Sequence, residues 1–220
     1  MYRVRDIGNR GVLFSTDTIT GCVTNMYLIK GDRSNYLIDT GLGSGTAAFV
    51  KEYIGAHCPN DVTVINTHHH WDHVWGNGGF EGCRIIAHRT AGEKIRQTWD
   101  ESEVKHGRWK EGHIKMVLPD TPVDDTLWLR EDGLEIFHSP GHTADSLSVY
   151  DHADRVLYVG DNVETPMPGI YDSAKNLAMS LRKYLGYDFA VCLAGHDPCV
   201  RREDVEKVLD ELGKSHEGCA

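Results

Sequence analysis

The amino-acid sequence predicts a mixed α/β fold with a partly antiparallel sheet system. Three observations carry this: strand-forming runs paired across a tight turn near the N-terminus, apolar strand runs alternating with amphipathic helical stretches further on, and no Pro/Gly/Ser linker, repeat or low-complexity run dividing the 220 residues. One domain over residues 1–220 is therefore expected, and a domain of this size buries roughly 70% of its unfolded surface.

Taken in order, VTNMYLIK (23–30) and NYLID (35–39) flank the turn GDRS and read as a hairpin, with Asp39 closing the second strand. SGTAAFVKEYIGA (44–56) reads as a helix, with Ser44 as its N-cap and Phe49, Val50, Tyr53 and Ile54 on its apolar face. VTVINT (62–67) is a short buried strand, and RIIAH (84–88) is another. Residues 89–118 carry Trp99, His106, Trp109 and His113 among many charges; Gly107 and Gly112 interrupt the helical tendency, so the segment reads as a loosely helical insertion over a site. Strands resume with TLWLR (126–130), LEIFHS (134–139), LSVYD (147–151) and RVLYVGD (155–161). Ser173 caps a helix that stops at Gly186, AVCLAG (190–195) is a further strand, and a last helix over about 202–213 places Val205, Val208, Leu209 and Leu212 on one face. Its first turn is acidic, as the helix dipole favours.

Composition narrows the partners. A net charge of -10, with basic residues interspersed among acids, argues against broad nucleic-acid binding and for a small-molecule substrate. The opening MYRVRDIGNRGVL is charged where a signal peptide is apolar, and no run approaches the ~18 apolar residues of a membrane span, so a cytoplasmic location without membrane contact is expected. Cys22, Cys58, Cys83, Cys192, Cys199 and Cys219 form no CxxC pair and read as reduced structural thiols. A homodimer is the default assembly, with no residue pattern specifying it.

The chemistry concentrates in THHHWDH, residues 67 to 73. In an extended segment His68, His70 and Asp72 point one way and His69 and Trp71 the other; a turn into helix swings His73 back to the first side. Imidazoles and a carboxylate at this spacing suit zinc and similar divalent ions. Three or four ligands serve one catalytic ion, whereas six or seven serve two ions about 3.5–4 Å apart that share a water. Further candidates follow strands and sit beside glycine: His142 in SPGHT, Asp161 in YVGDN and His196 in LAGHD. Singly, each has an ordinary reading as a turn or flanking residue. Together their order is the stronger signal.

In THHHWDH, SPGHT, GDN and AGH the sequence resembles the metallo-β-lactamase superfamily, nearly end to end from LIDTG to the last helix. That resemblance implies a four-layer αββα sandwich with its site at the sheet edge. It also implies two divalent metal ions, zinc first with iron or manganese as alternatives: His68, His70 and His142 at one, Asp72, His73 and His196 at the other, and Asp161 bridging. Asp39 resembles the family's supporting carboxylate, although a turn or helix cap is an equal reading of the residue itself.

Within the family, Asp161 stands where β-lactamases carry Cys or Ser, and His70 where flavodiiron proteins carry Glu. The resemblance then points to the glyoxalase II and lactonase group, hydrolysing a thioester, ester or lactone through a metal-bridging hydroxide, with Asp72 the catalytic residue that steers its proton. Only 24 residues follow His196, which counts against a glutathione-binding helical region. Asp145 and Asn162 depart from the glyoxalase pattern of Gly and Thr. The alternative on the same ligand pattern is an iron oxidoreductase similar to persulfide dioxygenase. For the substrate's surroundings, Trp71, Trp75, Trp99 and Trp109 either line an apolar mouth or, more commonly, sit in the core, and Tyr171 is a loop residue able to donate to an oxyanion.

Overall fold

The computed structural model describes residues 1–164 and 166–217, with side chains as far as residue 214; Cys219 lies outside the described residues. Seven strands form the first sheet in sequence order: β1 (Tyr2–Ile7), β2 (Gly11–Thr16), β3 (Thr24–Lys30), β4 (Asn35–Ile38), β5 (Val62–Ile65), β6 (Arg84–His88) and β7 (Thr121–Val123). The first four pair antiparallel as hairpins, while β4 to β7 pair in parallel through helical crossovers. The second sheet holds β8 (Thr126–Leu129), β9 (Leu134–His138), β10 (Leu147–Asp151), β11 (Val156–Tyr158) and β12 (Val191–Leu193), ordered β12-β11-β10-β9-β8 with only β11 and β12 parallel. The helices are α1 (Ser44–His57), α2 (Trp71–Val74), α3 (Ala91–His106), α4 (Ala174–Leu185) and α5 (Arg202–Glu217).

Alternation along each strand explains the layering. In β3, Tyr27 and Ile29 face the other sheet, where they meet Ile136, Val149, Val156 and Tyr158. Met26 and Leu28 face outward and pack with Val12, Phe14 and Leu37 against Ala47, Val50 and Ile54 of α1. Phe137, Leu157 and Val159 turn outward beneath Leu177, Leu181 and Tyr184 of α4 and Val205, Val208 and Leu212 of α5. Strands buried on both faces read as continuous apolar runs, which is why NMYLI lacks polar alternation. Helix, sheet, sheet and helix stack in that order, the αββα sandwich expected. Each fully buried aliphatic side chain contributes about 1.5–3 kcal/mol relative to exposure.

Local expectations met different fates. Ser173 caps α4, its hydroxyl accepting the Asn176 N–H at 3.1 Å. Ser44 does not cap α1; Gly43, with φ of 138°, is the capping residue, and the Ser44 hydroxyl instead accepts the N–H of His113 at 2.8 Å. In the 89–118 segment Ile95 and Trp99, four apart, bury against Val74 and Trp75 and hold α3 as sixteen residues of helix, which ends with Gly107 as its C-cap; Gly112, with φ of 79°, follows in irregular chain, so the two glycines interrupt the helix as expected. The β1–β2 hairpin and β7 go beyond the strands read from sequence. Among the described residues no helix is long and apolar enough to cross a membrane, and the five described cysteines are unpaired.

Candidate metal centre

The strands β4, β5, β9, β11 and β12 deliver their following loops to one edge of the sandwich. The loop after β5 carries His68 and His70, and α2 begins at Trp71, so Asp72 and His73 reach the site from a helical turn. This corrects the extended reading of the motif: β5 ends at Ile65, residues 67–69 run through bends, and Asp72 faces a different set of partners from His68 and His70.

Two groups of metal-capable atoms result, each with its ligand atoms within 4.8 Å of one another: His68, His70, His142 and Asp161, and Asp72, His73 and His196. Asp161 ties them together. Its Oδ2 lies 3.7 Å from His68 Nε2, 3.6 Å from His142 Nε2, and 3.2 Å from both His73 Nε2 and His196 Nε2. Asp72 Oδ2 is 3.2 Å from His196 Nε2, and His142 Nε2 is 3.0 Å from His70 Nδ1. Gly195 makes this convergence sterically possible, because a side chain there would collide with the Asp161 carboxylate and the His73 ring.

The outward-facing ring nitrogens of His68, His73, His142 and His196 are anchored. His73 Nδ1 sits 2.8 Å from Asp39 Oδ2, which also accepts from the Thr67 hydroxyl, and Asp39 Oδ1 accepts the Thr67 N–H. His142 Nδ1 donates to Gly169 O at 2.8 Å, His196 Nδ1 to Val23 O at 2.7 Å, and His68 Nδ1 lies 3.0 Å from the Thr67 hydroxyl. Each such contact fixes a tautomer with the proton on Nδ1 and the lone pair on Nε2, the form in which imidazole binds a metal. Asp39 therefore orients a histidine, and it holds φ of 60° to do so, a conformation rare outside glycine.

Polar groups without partners mark where an ion fits. Among the described residues, His68 Nε2, His73 Nε2 and Asp161 Oδ1 are buried and unsatisfied, a cost that a coordinated cation removes. Protonation follows the same logic. Burial, then the neighbouring His73 and His70, hold His68 well below the usual imidazole range. Burial and His142 push His70 down to about 3, and burial lowers His142 in spite of Asp161. Burial opposes ionisation of Asp72 and Asp161, but His73 and His196 outweigh it, lowering Asp72 to about 2 and Asp161 well below the carboxylate range. His73 and His196 are held well above theirs, because Asp161 and its neighbouring carboxylates outweigh burial. Two histidine protons thus stand where metal charge would stand. The donor set fits divalent ions.

The remaining predicted residues take definite places. His69 belongs to neither group; its Nδ1 lies 2.7 Å from Oδ1 of the fully buried Asp145. The Asp145 departure thus holds His69 aside. Asn162 accepts the His142 N–H and donates to Ser139 O and the Tyr184 hydroxyl, fixing the SPGHT loop. Trp75 and Trp99 are core. Trp71 stacks on His106 at 4.7 Å and on Trp109 at 5.7 Å, so the end of α3 closes over the Asp72 side. Tyr171 is 73% exposed and sets its ring edge-on to His70 and His142, 5.2 Å from each. Sequence reasoning passed over Glu164, which forms a further metal-capable group with Asp161 and His196; burial and Asp161 push its carboxyl up to about 7. Its one sequence signal is a carboxylate three residues beyond Asp161.

A four-layer sandwich with buried histidine and aspartate clusters at one strand edge defines a metal-binding αββα protein. The chain belongs to the metallo-beta-lactamase superfamily, whose profile matches residues 19–196. It is similar to an acyl-coenzyme A thioesterase of Bos taurus, 26% identical over 172 residues, covering 66% of this chain and 60% of that protein. It is also similar to the 2,4-dinitroanisole O-demethylase subunit alpha of Nocardioides sp. (strain JS1661), 26% identical over 214 residues, covering 92% and 61%. The chain thus spans about three fifths of the length of these relatives. The fold matches a metallo-beta-lactamase from Pontibacter korlensis with a TM-score of 0.75 at 19% identity, covering 97% of this chain and 99% of that one.

Proposed function

We propose that the protein is a dinuclear metal-dependent hydrolase of a small-molecule thioester, ester or lactone. The observation that carries this reading is Asp161 Oδ2 lying 3.2–3.7 Å from four histidine Nε2 atoms drawn from both groups. His68, His70 and His142 would hold one ion, Asp72, His73 and His196 the other, with Asp161 shared. Two such ions supply, when bound, a water acidified toward a pKa of about 7 and a Lewis acid for the scissile carbonyl.

The chain's own residues do the rest. Asp72 stays ionised, keeps Oδ2 on His196, and makes no hydrogen bond through Oδ1 among the described residues, so Oδ1 is the atom assigned to take a proton. Asp39, Val23 O and Gly169 O hold the histidine rings against rotation. Tyr171 offers a hydroxyl, uncommitted among the described residues, beside His70 and His142, and is assigned to the developing oxyanion. Relatives named for thioester cleavage and for O-demethylation support bond cleavage at this site while differing in the bond cleaved.

The test is a panel of thioesters, lactones and phosphodiesters given to protein reconstituted with zinc, manganese or iron. Metal-dependent hydrolysis of a thioester, ester or lactone is expected. Turnover of phosphodiesters alone, or thiol-dependent oxygen uptake with one iron per chain, would contradict it.

A further inference from the structure

Beside the second metal-capable group lies a cavity of about 280 Å³ lined by Gly21, Cys22, Val23, Glu164, His196 and Asp197. It adjoins the candidate centre, since His196 belongs to both and a Glu164 oxygen lies within 4.8 Å of the ligand atoms of Asp161 and His196. Its two carboxylates are not equivalent. Asp197 already accepts the Cys199 N–H through Oδ1 at 2.9 Å. Glu164 is only partly exposed, and among the described residues it has neither a hydrogen bond nor an ion pair. No lysine or arginine lines the cavity.

A half-buried carboxylate with no lysine or arginine beside it is costly, and the cost is recovered when a cation or strong donor arrives. A metal ion is one such cation, but Asp72, His73 and His196 with the shared Asp161 already give the second ion four donors, the number a zinc site takes. What the cavity leaves open is a place for substrate next to the reacting centre. The chain's net charge of -10 also attracts cations rather than anions.

We propose that Glu164 is the substrate-selecting residue of this site, and that it binds an ammonium or guanidinium group carried a few bonds from the carbon that is attacked. This rests on the hydrolase reading above for the position of that carbon. Recognition is by charge: the carboxylate accepts from, or lies against, the cation, while Val23 and the Cys22 thiol supply the less polar wall.

The test uses two isosteric thioesters, S-methyl 4-(trimethylammonio)butanethioate and S-methyl 5,5-dimethylhexanethioate, which differ in charge and not in shape. It also uses the matching N-methyl amides, which report binding without turnover. Metal-loaded wild-type and Glu164→Gln proteins are compared by the ratio of kcat/KM for the pair, by equilibrium binding of the amides, and by metal content. The wild type is expected to favour the cation over the neutral isostere by at least about tenfold more than Glu164→Gln does, in both rate ratio and binding ratio. Metal content is expected to be equal in the two proteins. Equal ratios in both proteins would overturn the assignment alone, and loss of an ion in Glu164→Gln would overturn it by making Glu164 a ligand. Binding preference without hydrolysis of either thioester would support the Glu164 assignment and count against the hydrolase reading.

Discussion

Asp161 is the residue that links the two groups, since its carboxylate faces histidines of each. Asp161→Ala is therefore expected to lose at least one ion and nearly all activity; wild-type metal content in that variant would sink the shared role. His69→Asn should leave metal stoichiometry unchanged, because the His69 ring is committed to Asp145, and a lost ion would show it to be a ligand. Asp39→Asn should weaken metal binding by about 10–100-fold with the fold intact, as measured by chelator competition, because the tautomer of His73 is then no longer enforced. At this scale the sequence was informative where residues follow a spacing rule. His68 and His70 fall in one group with His69 outside it, the outcome alternation leads one to expect, and His142, Asp161 and His196 each follow a strand beside glycine. Glu164 obeys no such rule, because a single carboxylate in GDNVETP takes its meaning only from the cavity it faces.

At the scale of elements, legibility followed burial. Strands β3, β4 and β5 carry apolar runs that packing on both faces requires, and they read clearly. β1 does not, because YRVRDI is mostly exposed and charged; it is a strand through its six-residue register with β2 rather than through its own composition. The segment 89–118 read as helix interrupted at its glycines, and α3 does stop at Gly107; Ile95 and Trp99 are few, but they are buried, and four-residue spacing sufficed to order the helix up to that point. The same reasoning sets energies. Leu177→Ala on α4, fully buried under β9 and β11, should cost about 2–5 kcal/mol in denaturant unfolding, whereas Met179→Ala two positions on, 58% exposed, should stay within about 0.5 kcal/mol. Equal losses at the two positions would contradict the layer assignment.

For the molecule as a whole, the sandwich supplies an edge at which loops from both sheets meet, and the candidate centre draws its residues from both. His68 and His73 come from the first sheet's loops, His142, Asp161 and His196 from the second's. An ion held between them binds only the folded chain and so adds to its stability. Removing metal with a chelator should lower the thermal midpoint, and zinc should restore it; a midpoint indifferent to both would mean that the clusters do not hold an ion across the sheets. The most direct test of the centre is metal analysis of purified protein reconstituted with zinc and freed of excess. The arrangement around Asp161 predicts about two ions per chain, and one ion or none would contradict it.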